Sequence, residues 1–223
     1  MTQPHNTTIP PIDAAAPAQV ETATFALGCF WGPDAQFGVI PGVVRTRVGY
    51  AGGTAPDPTY RNLGDHAETV QLDFDPAVIS YKKLLRIFWG SHMPVRPARS
   101  RQYMSAVWYH SEAQREAAEA IKAREEDRRR HELFTEIAPL DTFTWAEDYH
   151  QKYSLRKIPD LLAEYIAIYP DPAAFVNSTT VSRINGFAAG YGDIGTLQAE
   201  LDQYGLSPQG RDKLLHLAGQ PDR

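Results

Sequence analysis

Between residues 22 and 137 the chain changes hydrophobic period again and again, and that alternation restricts it to folds that lay helices on a sheet. Residues 22–27, 43–50, 66–74, 105–109 and 134–137 read as strands from their period-two patterning. Residues 31–37 read as a short helix, with Pro33 tolerated in its first turn. Ser80 and Ser111 are placed to cap two further helices, one with Leu84, Leu85, Ile87 and Phe88 on its apolar face and one running to about Arg130. The charged run 124–130 reads as a solvated helical face. Gly and Pro make residues 51–59 a long loop. Residues 144–153 read as helical, followed by helices near 161–169, 196–203 and 208–217. Strands interleaved with helices, with hairpin-length gaps in places, predict an α+β sandwich rather than a doubly wound sheet.

At 223 residues the chain fits one domain with long tails or a small appendage. Residues 1–20, rich in Pro, Ala and Thr, read as a disordered arm with no signal-peptide pattern. The net charge of −5 and the absence of a large basic block argue against a nucleic-acid partner. No apolar run approaches the ~20 residues that span a bilayer. One cysteine cannot close an internal disulfide, so the expected location is the cytoplasm. The seven histidines are scattered, and no Cys/His spacing suggests a metal site.

That cysteine, Cys29, lies in Gly28-Cys29-Phe30-Trp31-Gly32. On composition alone a lone thiol among apolar residues is an inert small hydrophobe. Its place between a strand and a helix start points the other way, because unpaired backbone N–H groups there lower a thiol's pKa. Three more segments combine aromatic or acidic residues with glycine in ways that a core alone does not require. Tyr50 ends a strand where the chain becomes Gly-rich, so its phenol either packs in the core or reaches a concave site. Glu68 alternates within a strand: on a buried face it is a desolvated acid, on a wet face an ordinary carboxylate. Gln102-Tyr103 puts a second phenol just before a strand.

These segments, with Gly49-Tyr50-Ala51-Gly52-Gly53, Asp57-Pro58-Thr59-Tyr60, His66-Ala67-Glu68, Asp75-Pro76 and Ala146-Glu147-Asp148-Tyr149-His150-Gln151, occur in the order found in the A-type peptide methionine sulfoxide reductases, which the chain resembles over roughly residues 22–153. The resemblance implies a two-layer, ferredoxin-like α/β sandwich over residues 21–153, with residues 154–223 as a mainly helical extension packed on it. It implies Cys29 as nucleophile on the sulfoxide sulfur, and Phe30 and Trp31 as the apolar box for the S-methyl group. Glu68 would protonate the sulfoxide oxygen, which finally leaves as water, while Tyr50 and Tyr103 donate hydrogen bonds to it. The products would be methionine and a cysteine sulfenic acid, with the S-epimer as substrate, protein-bound or free.

Two departures stand out. The resolving cysteines common near the family's C-terminus are absent, so an external thiol must clear Cys29: thioredoxin, glutaredoxin with glutathione, or another small thiol. No bound cofactor is expected, and the active unit is expected to be a monomer. The loop before Gln102 has Arg99 and Arg101 near the place of the family's substrate-orienting aspartate, which suggests recognition of a substrate carboxylate. The residues also leave open a redox-sensing or interaction protein on the same scaffold, or a reductase of another sulfoxide. The Gly- and aromatic-rich segment 184–192 reads as a surface-packing extension.

Overall fold

The computed structural model describes residues 7–219. Six strands form one sheet: β1 (Glu21–Leu27), β2 (Val43–Ala51), β3 (Ala67–Phe74), β4 (Ser105–Tyr109), β5 (Thr135–Pro139) and β6 (Phe143–Trp145), in the order β5-β4-β1-β3-β2-β6. All neighbours run antiparallel except β4 and β5. The helical segments are α1 (Pro11–Ala14), α2 (Trp31–Gly38), α3 (Tyr81–Gly90), α4 (Glu112–Arg129), α5 (Tyr153–Arg156), α6 (Pro159–Ile168), α7 (Pro172–Val176), α8 (Thr179–Ala188), α9 (Ile194–Glu200) and α10 (Pro208–Ala218). Among the described residues no helix is long and apolar enough to cross a membrane.

Strand alternation decides what each face buries. Ala23 and Phe25 of β1, Val70, Leu72 and Phe74 of β3 and Val107 of β4 pack with Phe37 of α2, Leu84 and Phe88 of α3 and Ala118 of α4. Phe25 stacks between Phe37 and Phe88, with centroids 5.5 and 5.1 Å away. Truncating such a ring to Ala costs about 3–5 kcal/mol. The opposite face carries a smaller apolar cluster of Ala26, Ala67, Ala106 and Trp108 beside a polar set, in which Gln71 Nε2 donates to Thr24 Oγ1 and Arg47 donates to Gln71 and to Asp73. Ser80 and Ser111 cap α3 and α4 as their sequence predicts, each accepting a backbone N–H three residues on.

A second apolar cluster belongs to the C-terminal helices, with Leu161, Tyr165, Phe175, Ile184, Phe187 and Leu214 at its centre. It meets the sheet layer where α8 crosses α2. That crossing is close because Gly186 faces the Ala35 carbonyl oxygen: a Cβ there would sit 2.5 Å from it.

Three expectations need correction. Residues 144–153 are not a helix: Phe143–Trp145 adds a strand to the edge of β2, with Tyr50 opposite Thr144. Turns follow, because Gln151 spends its side-chain amide on the Val48 N–H and on the Val48 and Ala146 carbonyls, and Lys152 takes a left-handed φ of 56°. Nor is the expected disordered arm featureless. Residues 1–6 lie outside the described residues, but α1 is pinned by Asp13, which accepts from Tyr169 Oη, Ser178 Oγ and the Thr179 N–H. Finally, α8 was not anticipated; its Ser, Thr, Asn and Gly residues are poor helix formers, and its burial is what holds it helical.

Candidate active site

The site forms where β1 turns into α2. Gly28 has φ of +93°, a conformation that favours glycine, so the chain can reverse and present Cys29 just before the helix. Cys29 is exposed, and the Trp31 backbone N–H donates to its sulfur. That bond lowers the thiol pKa, as a helix start should. Partial burial and the nearby Glu68 charge outweigh it, and the net shift is upward. The expectation of a lowered thiol pKa is thereby corrected for the substrate-free protein.

Glu68 settles the question its alternation left open. It lies on the face that carries Val70, Leu72 and Phe74, and it is 1% exposed. Its Oε2 accepts the Phe30 backbone N–H at 3.1 Å and its Oε1 accepts Gln102 Nε2 at 2.8 Å. Burial raises its pKa, against the lowering effect of those two neutral donors. A carboxyl with its pKa raised beside a thiol can hold a proton and deliver it.

Register brings Tyr50 directly opposite Glu68 across β2 and β3. Tyr50 is fully buried, and its hydroxyl donates to Glu147 Oε2 at 2.7 Å. Both readings of Tyr50 are thus partly met: the ring is core, packed 6.0 Å from Phe30, and the hydroxyl sits at the site's wall but is occupied by Glu147. Burial and that carboxylate push its pKa up. Tyr103 is 42% exposed, hydrogen-bonds with Tyr60 and feels both Glu68 and Cys29, its pKa pushed up to about 12, chiefly by desolvation.

Phe30 is buried and Trp31 half-buried. Tyr153 stacks on the indole at 3.7 Å, nearly parallel, and Trp31 Nε1 donates to His150 Nδ1 at 3.1 Å. His150 packs within 5.1 Å of the Phe30, Tyr60 and Tyr149 rings. Burial lowers its pKa, which suits a neutral ring that accepts the indole proton. Its Nε2 is buried without a hydrogen-bond partner, 4.0 Å from Glu147 Oε2.

The arginines are not assembled with this group as expected. Arg101 donates to the carbonyls of Asp65 and Gly52 and pairs with Glu136 at 2.9 Å, so its guanidinium is spent on holding the loop. Arg99 is exposed and lies outside the groove beside Gly28, where Arg96 stands in its place. Sequence reasoning assigned no role to Gln102, Glu147, His150 or Tyr60. They belong to the same short blocks as the assigned residues, and a polar or acidic side chain inside an aromatic block was the available signal.

Beneath the site a second buried carboxyl, Asp34 of α2, meets Lys152 Nζ at 2.8 Å, both essentially inaccessible. Thr46 Oγ1 and Asn185 Nδ2 also donate to Asp34. Asn185 Oδ1 accepts the Ser154 and Leu155 N–H groups, so one amide of α8 is bonded both to α5 and, through Asp34, to the helix that follows the thiol. Among the described residues no cluster of three or more His, Cys, Asp or Glu side chains could hold a metal ion.

With this geometry, comparison with known proteins is specific. A sequence model of the family described as "Peptide methionine sulfoxide reductase" matches residues 21–183 and so reaches well into the C-terminal helices. The peptide methionine sulfoxide reductase of Drosophila melanogaster is 43% identical over 196 residues, covering 85% of this chain and 77% of that one. The MsrA protein of Methanococcoides burtonii is 45% identical over 147 residues, 60% of this chain and 95% of its own. Among solved structures, reduced Mxr1 from Saccharomyces cerevisiae is similar with a TM-score of 0.59 at 30% identity, over 64% of this chain and 88% of that one.

Proposed function

The chain belongs to the peptide methionine sulfoxide reductase family, and from that premise we propose how its own residues carry out the reaction. The activity is thiol-dependent reduction of methionine sulfoxide to methionine. We assign Cys29 as nucleophile and Glu68 as general acid. The observation that carries the assignment is a buried, raised-pKa carboxyl beside an exposed thiol, with its oxygens oriented by the Phe30 N–H and Gln102.

A sulfoxide is a poor electrophile until its oxygen is protonated. As Cys29 sulfur attacks the substrate sulfur, Glu68 supplies that proton. The net step moves one oxygen atom: thiol plus sulfoxide gives sulfenic acid plus thioether. Cys29 sulfur loses two electrons and the substrate sulfur gains them. A neutral Glu68 also removes the charge that raises the thiol pKa, so protonating the acid assists the nucleophile. Phe30 and Trp31, the latter held by His150 and Tyr153, are read as the apolar wall for the S-methyl group. Tyr103 is read as a donor to the substrate oxygen; Tyr50 serves that role only if its hydroxyl leaves Glu147.

Regeneration requires two external thiols in turn: the first condenses with the sulfenic acid and releases water, and the second reduces the mixed disulfide. A thioredoxin or a glutaredoxin with glutathione fits, because the sequence has one cysteine. A reducing compartment such as the cytoplasm suits that supply, and we read the active unit as a monomer. We read β1-α2-β2-β3-α3-β4 as a ferredoxin-like sandwich, supported by the strand order β4-β1-β3-β2. Residues 21–153 are read as the catalytic unit and 154–223 as an extension tied to it through Asn185.

Single-turnover reduction tests the assignment. Reduced protein should yield one methionine per thiol lost; no methionine from fully reduced Cys29 would overturn it.

A further inference from the structure

Beside Gly28, on the side away from Tyr50, the surface opens into a groove of about 230 Å³. Its apolar walls are Leu27, Met93, Pro94 and Phe134, and Gly28 and Tyr103 form the lip it shares with the active site. Met93 is 70% exposed and Phe134 42%, an arrangement that leaves two large apolar side chains wet next to a nucleophile. The imidazole and the hydroxyl at the floor of the groove are already satisfied. His92 uses one ring nitrogen on the Phe88 carbonyl and the other on Ser105 Oγ, at 2.8 and 2.7 Å, and Ser105 Oγ also meets Thr135 Oγ1. Burial holds the His92 pKa down to about 4, so the ring is neutral at physiological pH. Arg96 alone brings charge to the wall.

We propose that this groove is a subsite for a large apolar side chain adjacent to the oxidised methionine of a polypeptide substrate. The inference rests on the reductase reading of Cys29. A polypeptide whose sulfoxide sits at Cys29 must pass over the Gly28–Tyr103 lip. Extended residues advance only ~3.3 Å each, so a neighbouring side chain falls over the groove. A groove whose walls are apolar and whose His92 and Ser105 are paired rewards an apolar neighbouring side chain, which free methionine sulfoxide does not have.

The test measures binding by calorimetry to Cys29→Ser, which cannot turn over. The probes are acetylated, amidated tripeptides with central methionine sulfoxide, flanked by glycine on both sides or by leucine on one side or the other. Burying part of a leucine side chain should tighten binding about tenfold for one of the two leucine peptides. That gain should fall below twofold when Phe134→Ser or Met93→Ser is added. Turnover of free methionine sulfoxide by the single variants with Cys29 intact should match the parent, which shows that they fold and reads the reductase activity separately. Equal binding of all three peptides, or a leucine gain that survives both substitutions, would overturn the subsite whatever the turnover.

Discussion

Two buried carboxyl groups lie near Cys29, Asp34 in the first turn of α2 and Glu68 on β3, and they are treated in opposite ways. Asp34 receives a cation: Lys152 Nζ at 2.8 Å, with Thr46 and Asn185 completing its shell. Glu68 receives only two neutral N–H donors, and burial raises its pKa. The polypeptide therefore keeps one carboxyl countered and structural and leaves the other ready to carry a proton. Burial raises a carboxyl's pKa where no cation counters it, and that is the difference between the two sites.

The largest expected effect comes from breaking the countered pair. Lys152→Met strands Asp34 in the interior and should cost about 3–5 kcal/mol in chemical denaturation. Adding Asp34→Asn should recover much of that loss. Glu68→Gln, which removes no ion pair, should change stability by less than about 1 kcal/mol; a loss as large as that of Lys152→Met would break the contrast. Next in size, Asn185→Leu leaves the Ser154 and Leu155 N–H groups unpaired and should cost about 1–3 kcal/mol. Urea midpoints would show it, and an unchanged midpoint would mean that α8 is not held to α5 through this amide.

A smaller effect follows at the apolar wall. Trp31→Phe keeps an aromatic surface and deletes the donor to His150, a bond worth about 1 kcal/mol. It should lower kcat/KM by up to about tenfold, and a loss above a hundredfold would give the indole a larger role than orientation. The smallest effect is in the pH dependence of stability. With its folded pKa raised, Glu68 binds its proton more tightly folded than unfolded. Its contribution is therefore full below the ordinary glutamate value of about 4.3 and is lost as pH rises through the folded value. Parent minus Glu68→Gln stability should decline across that window, and a rise would reverse the assigned shift.

Much of this contrast is legible in the amino-acid order. Period-two alternation puts Glu68 with Val70, Leu72 and Phe74, and the Gly28-Cys29 turn ahead of an apolar helix marks the thiol. The countered pair was hidden, because Lys152 lies in a polar stretch whose pattern suggested a helix. Only the left-handed turn at Lys152 and the Gln151 amide bonds reveal that the segment dives under α2. Arg101 failed for a related reason: sequence places a guanidinium near a site but does not show that two carbonyls and Glu136 already hold it. The raised thiol pKa was likewise invisible, since it reflects desolvation and the charge of Glu68 across 39 positions of chain.

The central claim is that Glu68 is the proton donor to a substrate attacked by Cys29. The direct test is the pH profile of single-turnover reduction for the parent and Glu68→Gln. Because both groups have raised pKa values, the parent should show a plateau bounded below by Glu68 and above by Cys29. Glu68→Gln should be slower by about 10²–10⁴ at neutral pH, should lose the break at Glu68 and the alkaline fall, and should rise with pH until the thiolate has formed. A variant that keeps the parent's neutral rate and both limbs would contradict it.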